Sequence, residues 1–218
     1  MAEISASLLS VEKENAIRTM YNLEAGKVDY FHIDVMDGKF VEKNNLETMK
    51  DYALTISHIS NLGLDVHLMV NNIEELVDEY LALEPKIITF HIEASKMEEE
   101  TKKIINEIKK NGTRVGIAIS PETSIDEIKK YLEYIHLVLV MTVIPGKGYQ
   151  KLIPETIEKV KELKEYIEEN NIDIDIEVDG GINDQTSSKV KDAGANLLVV
   201  GSYLTSSDNI PEAVKKVK

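Results

Sequence analysis

The 218-residue chain contains no cysteine. Disulfides and thiolate metal sites are thereby excluded, and any metal must be held by histidines and carboxylates. No uninterrupted apolar run approaches the roughly 18 residues of a membrane-spanning helix. The opening MAEISASLLS lacks a basic stretch followed by an apolar one, so it does not read as a signal peptide, and a cytoplasmic location is expected. Positive charge is also scarce: 25 Lys and Arg against 39 Asp and Glu leave a net charge of −14. Nucleic acid and anionic membranes select basic surfaces, so neither is expected as a partner. A phosphorylated ligand would gain no long-range attraction and would need local compensation from a metal or backbone N–H groups. The bland reading of the acidity is solubility.

What the chain has is alternation. Short apolar runs at 3–8, 30–35, 64–69, 87–91, 114–119, 137–141, 173–178 and 196–200 read as strands. Amphipathic stretches separate them, for example 96–110 and 154–169, with apolar residues three and four apart. Pro121-Glu122-Thr123 and Asn183-Asp184 mark further helix starts. Eight strand-then-helix units imply parallel strands with helical crossovers, hence a (β/α)8 TIM barrel, a single domain over 1–218. A doubly wound open sheet is the alternative for such a pattern.

Strand parity then points to a site. With the second strand extended by one residue, Phe31, Ile33 and Val35 share one face while His32, Asp34 and Met36 share the other. Asp65, His67 and Met69 oppose Val66 and Leu68, and Asp175, Glu177 and Asp179 alternate with Ile174, Ile176 and Val178. Polar groups therefore gather toward the strands' carboxyl ends, the catalytic face of a barrel. Alternate residues point the same way, so His32 and Asp34 can reach one ion, with His67 and Asp179 completing the set. Two His and two Asp suit Zn²⁺ foremost, and Fe²⁺, Mn²⁺ or Co²⁺ as well. A lone strand histidine is usually a satisfied core residue, and a lone Asp at a strand end usually caps a helix. Three strands delivering such groups at one end outweigh that reading. Two carboxylates facing each other across a metal suggest proton removal beside a polarised carbonyl and return to the opposite face, through an enediolate.

Asp179-Gly180-Gly181-Ile182 and Val200-Gly201-Ser202 follow strands seven and eight, where this fold usually binds phosphate through exposed N–H groups. Taken alone, such glycines also mark ordinary tight turns. Pro145-Gly146-Lys147-Gly148-Tyr149-Gln150 after the sixth strand reads as a mobile lid or a flexible connector.

These segments resemble the ribulose-phosphate 3-epimerase family along nearly the whole chain. The resemblance is carried by Ile4-Ser5-Ala6-Ser7-Leu8-Leu9-Ser10, His32-Ile33-Asp34-Val35-Met36-Asp37-Gly38, Asp65-Val66-His67-Leu68-Met69 and Phe90-His91-Ile92-Glu93-Ala94. The stretch from Met141 to Gln150, Glu177-Val178-Asp179-Gly180-Gly181-Ile182 and Gly201-Ser202 extend it. It implies a metal-dependent barrel that interconverts D-ribulose 5-phosphate and D-xylulose 5-phosphate. By the family pattern, His32, Asp34, His67 and Asp179 bind the metal, and Asp34 and Asp179 are the acid–base pair. Ser7 contacts substrate, and Met36, Met69 and Met141 line the cavity. Gly146, Gly148, Gly180, Gly181, Gly201 and Ser202 cradle phosphate or shape the lid. A homo-oligomer is implied too.

The chain departs from the pattern in three places. Ser5-Ala6-Ser7 replaces Ser-Pro-Ser, and Val41-Glu42-Lys43-Asn44-Asn45 replaces a segment with Pro-Asn. The lid carries Lys147 for Phe and Tyr149 for Gly. The metal and acid–base set is untouched, so these departures bear on substrate identity rather than on chemistry. A D-allulose-6-phosphate 3-epimerase is the sibling alternative, favoured by the wording Met141-Thr142-Val143. A non-catalytic phosphosugar-binding barrel is the alternative from another class, and a metal-free anion-binding barrel is disfavoured by the His-Asp set.

Overall fold

Eight strands lie in chain order around a closed, all-parallel barrel in the computed structural model, which describes residues 2–95 and 97–218. They are β1 (Glu3–Ser7), β2 (Tyr30–Met36), β3 (Gly63–Met69), β4 (Ile87–His91), β5 (Arg114–Ile119), β6 (Leu137–Met141), β7 (Asp175–Asp179) and β8 (Leu197–Val200). The expected bounds hold for β4, β5 and β6, and β7 begins and ends later than 173–178. Closure excludes the open sheet: β1 pairs with β8, Ser5 opposite Val199 and Ala6 opposite Val200.

The helices are α1 (Ala16–Ala25), α2 (Leu46–Ile59), α3 (Ile73–Leu81), α4 (Glu98–Lys110), α5 (Glu155–Glu169), α6 (Ser187–Asp192), α7 (Ser202–Thr205) and α8 (Ile210–Val217). In the stretch expected at 96–110, Lys96 lies outside the described residues and the helix starts at Glu98. Pro154 occupies the N-cap of α5, just before the first helical residue. After β5 the expected helix is instead two 3₁₀ segments, Ile125–Glu127 and Lys129–Tyr134. Ile125, Ile128, Tyr131 and Leu132 of this stretch are buried and join the apolar cluster under the helices.

Parity divides the barrel into an apolar outside and a polar inside. Ile4, Ala6, Phe31, Ile33, Val35, Val66, Leu68, Ile88, Phe90, Val138, Val140, Ile176, Val178, Leu198 and Val200 all belong to one buried cluster packed under the helices. Each fully buried Val, Leu, Ile or Phe contributes roughly 1.5–3 kcal/mol. The outer layer thus stabilises the fold and leaves the interior free for chemistry. At the amino end of the barrel Ile87, Leu137 and Leu197 fill the lumen. Above them the interior holds Ser5, His32, Asp65, Thr89 and Glu177, and then Ser7, Asp34, His67 and His91, all buried. Among the described residues no helix is long and apolar enough to cross a membrane.

Candidate metal centre and active site

Strands β2 and β3 run in register, with His32 opposite Asp65 and Asp34 opposite His67. Strand β7 brings Asp179 to the same rim, paired with Met141 of β6. One donor atom from each of His32, Asp34, His67 and Asp179 lies within 4.8 Å of the others. His32 Nε2 and His67 Nδ1 each stand 3.4 Å from Asp34 Oδ1, and 4.0 Å and 3.6 Å from Asp179 Oδ2. Metal–ligand bonds of about 2.0–2.1 Å in a tetrahedral centre separate neighbouring donors by roughly 3.3 Å. The four donors approximate that spacing.

Two observations make these residues fit a metal. His32 Nε2 and His67 Nδ1 are buried, have no hydrogen-bond partner, and face the same two carboxylates. Buried polar atoms are nearly always satisfied, so two orphans converging on one point mark a place for a ligand. The donor set, two imidazoles and two carboxylates, is also one that divalent ions of the zinc type accept. The described residues therefore contain a buried group able to bind a metal ion.

The charges are strongly coupled. Burial would lower the His32 imidazole, but Asp65 and Asp34 raise it well above its ordinary value. Burial would raise the Asp34 carboxyl, but the rings of His32 and His67 hold it well below the usual range. His67, opposed by burial, is raised by Asp179 and Asp34.

Supporting hydrogen bonds fix His32, Asp34 and Asp179. His32 Nδ1 is 2.7 Å from Asp65 Oδ2, which also accepts from Ser5 Oγ at 2.6 Å. Glu177, fully buried, is pushed well above the carboxylate range by that burial and by neighbouring Asp65. Ser7 Oγ donates to Asp34 Oδ2 at 2.7 Å. Asn45 holds the end of β2: its Oδ1 accepts from Met36 N and its Nδ2 donates to Asp34 O, both at 2.8 Å. Thr142 does the same for β7, its N–H bonding Asp179 O at 2.8 Å and its hydroxyl Gly180 O at 2.6 Å.

A cavity of about 590 Å³, counting its open mouth, lies above the four. Ser7, Asp34, Met69, Met141, Gly146, Gly148, Asp179, Gly180, Gly181, Gly201 and Ser202 line it. Met36, His32 and His67 are buried in the surrounding wall instead. The side chain of Asp34 is 3% exposed and that of Asp179 is 16%, so Asp179 is the more open of the pair. Lys147 and Tyr149 border the cavity as well. Sequence reasoning did not assign Ser5, Asn45, Asp65, Thr142 or Glu177 to the site. For Asp65 and Glu177 the signal was present, since each lies two residues before a candidate ligand on the same strand face.

A parallel (β/α)8 barrel with two imidazoles and two carboxylates converging beneath a glycine-edged cavity defines a class of enzyme-like barrels for small ligands. The particular member follows from comparison: the family model described as the ribulose-phosphate 3-epimerase family matches residues 3–205, and the chain belongs to that family. The ribulose-phosphate 3-epimerase of Methanocaldococcus jannaschii is 39% identical over 218 residues, covering 100% of this chain and 90% of the other. That of Bacillus subtilis is 34% identical, covering 100% and 99%. Among solved structures, 3-hexulose-6-phosphate synthase from Salmonella typhimurium superposes with a TM-score of 0.71 at 14% identity, covering 99% of this chain and 96% of that one. At that identity the likeness extends to the fold alone.

Proposed function

We propose that the protein is a metal-dependent epimerase that interconverts D-ribulose 5-phosphate and D-xylulose 5-phosphate at C3. The observation that carries the reading is the pair Asp34 and Asp179, which border one cavity and face the same two orphaned histidine nitrogens. Family membership and full-length similarity to ribulose-phosphate 3-epimerases support it.

His32, Asp34, His67 and Asp179 would hold the ion, Zn²⁺ before Fe²⁺, Mn²⁺ or Co²⁺. When bound, it polarises the substrate carbonyl and acidifies the neighbouring C–H. One carboxylate takes the C3 proton from one face of the sugar, and the other returns a proton to the opposite face, inverting that carbon. The roles exchange with the direction of reaction. Ser7 orients Asp34 through its hydroxyl. Met69 and Met141 give the cavity an apolar wall that keeps water from the reacting carbon. The loops at 180–182 and 201–202 border the same cavity, and their backbone N–H groups are the donors we assign to the phosphate. The exposed side chains Ile17 and Tyr21 of α1 and Leu54 of α2 suit coverage by a second copy, in keeping with the expected homo-oligomer.

A coupled assay on zinc-loaded protein tests the activity, with D-ribulose 5-phosphate and D-allulose 6-phosphate compared side by side. Turnover of the pentulose phosphate at the higher kcat/KM is expected. A clear preference for the hexulose phosphate assigns the protein to the sibling activity, and turnover of neither sinks both.

A further inference from the structure

His67 is not supported by a carboxylate, as His32 is by Asp65. Its Nε2 lies 2.9 Å from Nε2 of His91, a fully buried ring at the end of β4 that stacks on it with centroids 5.0 Å apart. Phe40 packs against His91 as well, with ring centroids 4.8 Å apart. His91 Nδ1 in turn meets Glu93 Oε2 at 2.9 Å. The second oxygen of Glu93 accepts from Ser120 N at 2.7 Å and from the Thr123 hydroxyl. The loop carrying those donors is fastened from α5, where Lys159 Nζ donates to the carbonyls of Ser120, Pro121 and Thr123 at 2.9, 2.7 and 2.6 Å.

The polarity of this chain follows from its far end. Both Glu93 oxygens only accept, so His91 must carry its hydrogen on Nδ1 and present a lone pair at Nε2. That lone pair requires the hydrogen of His67 on its Nε2, which leaves Nδ1 as a bare lone pair facing Asp34 and Asp179. The opposite polarity would place a hydrogen on the atom that has to bind the ion. We propose that His91 and Glu93 are positioning residues of the reaction, a relay that fixes the ring and tautomer of His67, with Lys159 holding the relay's outer end. The inference rests on the metal reading above, and it assigns a role to His91, Glu93 and Lys159, which the four ligands leave unused.

Glu93→Gln tests it at constant shape. Ser120 N–H and the Thr123 hydroxyl require the amide oxygen, so the amide NH₂ turns to His91 Nδ1 and inverts both histidines. Zn²⁺ affinity of purified protein is measured by chelator competition, without substrate, together with the visible spectrum of the Co²⁺-loaded form. Loss of ligand-orienting partners typically weakens metal binding about 10–100-fold, and that loss, with a changed Co²⁺ spectrum and an unchanged melting temperature of the metal-free protein, is expected. His91→Phe fills nearly the same space and removes the acceptor for His67, so it is expected to weaken binding to a similar degree if Glu93→Gln does not fold. Wild-type affinity and spectrum in either folded variant overturn the relay. Turnover measured on the same preparations separates the two readings: wild-type protein that binds Zn²⁺ but does not epimerise refutes the proposed function and leaves the relay to the affinity result.

Discussion

Asp34 and Asp179 differ in surroundings, and that difference suits the proposed acid–base pair, in which each in turn holds and releases a proton. Asp34 is enclosed by Ser7 and two imidazoles, whereas Asp179 opens to the cavity. Asp34→Asn and Asp179→Asn each keep volume while removing a base and a ligand charge. Each is expected to lower kcat by about 10²–10⁴ or more, with the fold retained by circular dichroism; near-wild-type turnover in either would refute its role. The same residues set a pH dependence. Metal-free His32 is held above its ordinary 6.5, so its contribution to stability is fully present below that pH and is lost as pH rises through the raised value. Asp34 is held below its ordinary 3.8, so its contribution is present above that pH and is lost on further acidification. Metal-free protein is thus expected to be most stable between about pH 4 and 6.5, and bound metal, which displaces the histidine proton, removes the alkaline decline. Thermal melts across pH with and without chelator check this, and metal-free stability that climbs steadily above neutrality would contradict it.

At the scale of elements, the loops after β6 and β7 are where the site is most easily damaged. Gly181 has φ +67°, and a side chain there would collide with the backbone nitrogen of Leu152 in the segment following the lid. Gly181→Ala is expected to destabilise by roughly 2 kcal/mol or more, from strain and displacement together, read as a lowered denaturation midpoint. Tyr149 adopts φ +59°, where the family's pattern has glycine. Tyr149→Gly removes a strain of about 1–2 kcal/mol and restores chain entropy of comparable size, so stability is expected to change little while proteolysis within the lid accelerates. The strands were legible as short apolar runs, and the candidate metal-binding group was legible because His32, Asp34 and His67 set polar side chains on one face of β2 and β3. The 3₁₀ segments after β5 were not, since burial at Ile125, Ile128 and Tyr131 is also compatible with an α-helical stripe until the turn is seen. The gathering of Asp65 and Glu177 around His32 escaped sequence reasoning for another reason: it brings three strands together across the lumen, and local patterning does not reveal which interior side chains meet.

At the scale of the whole molecule, a net charge of −14 surrounds a site proposed for a phosphorylated substrate. Long-range repulsion is screened by salt over a Debye length of about 8–10 Å. Raising ionic strength from low to physiological is therefore expected to increase kcat/KM, the reverse of a basic enzyme; a steep fall would place unrecognised positive charge at the mouth. Because β1 completes the barrel against β8, the chain's two ends depend on each other, and we expect 1–218 to unfold in one cooperative transition. The central claim is proton transfer by two carboxylates on opposite faces of one carbon. Epimerisation in D₂O followed by proton NMR tests it most directly. One solvent deuteron is expected at C3 of each product molecule formed, lost with turnover in Asp34→Asn and Asp179→Asn. Product that keeps the substrate's own C3 proton would contradict it, because a single group would then have carried that proton from one face to the other.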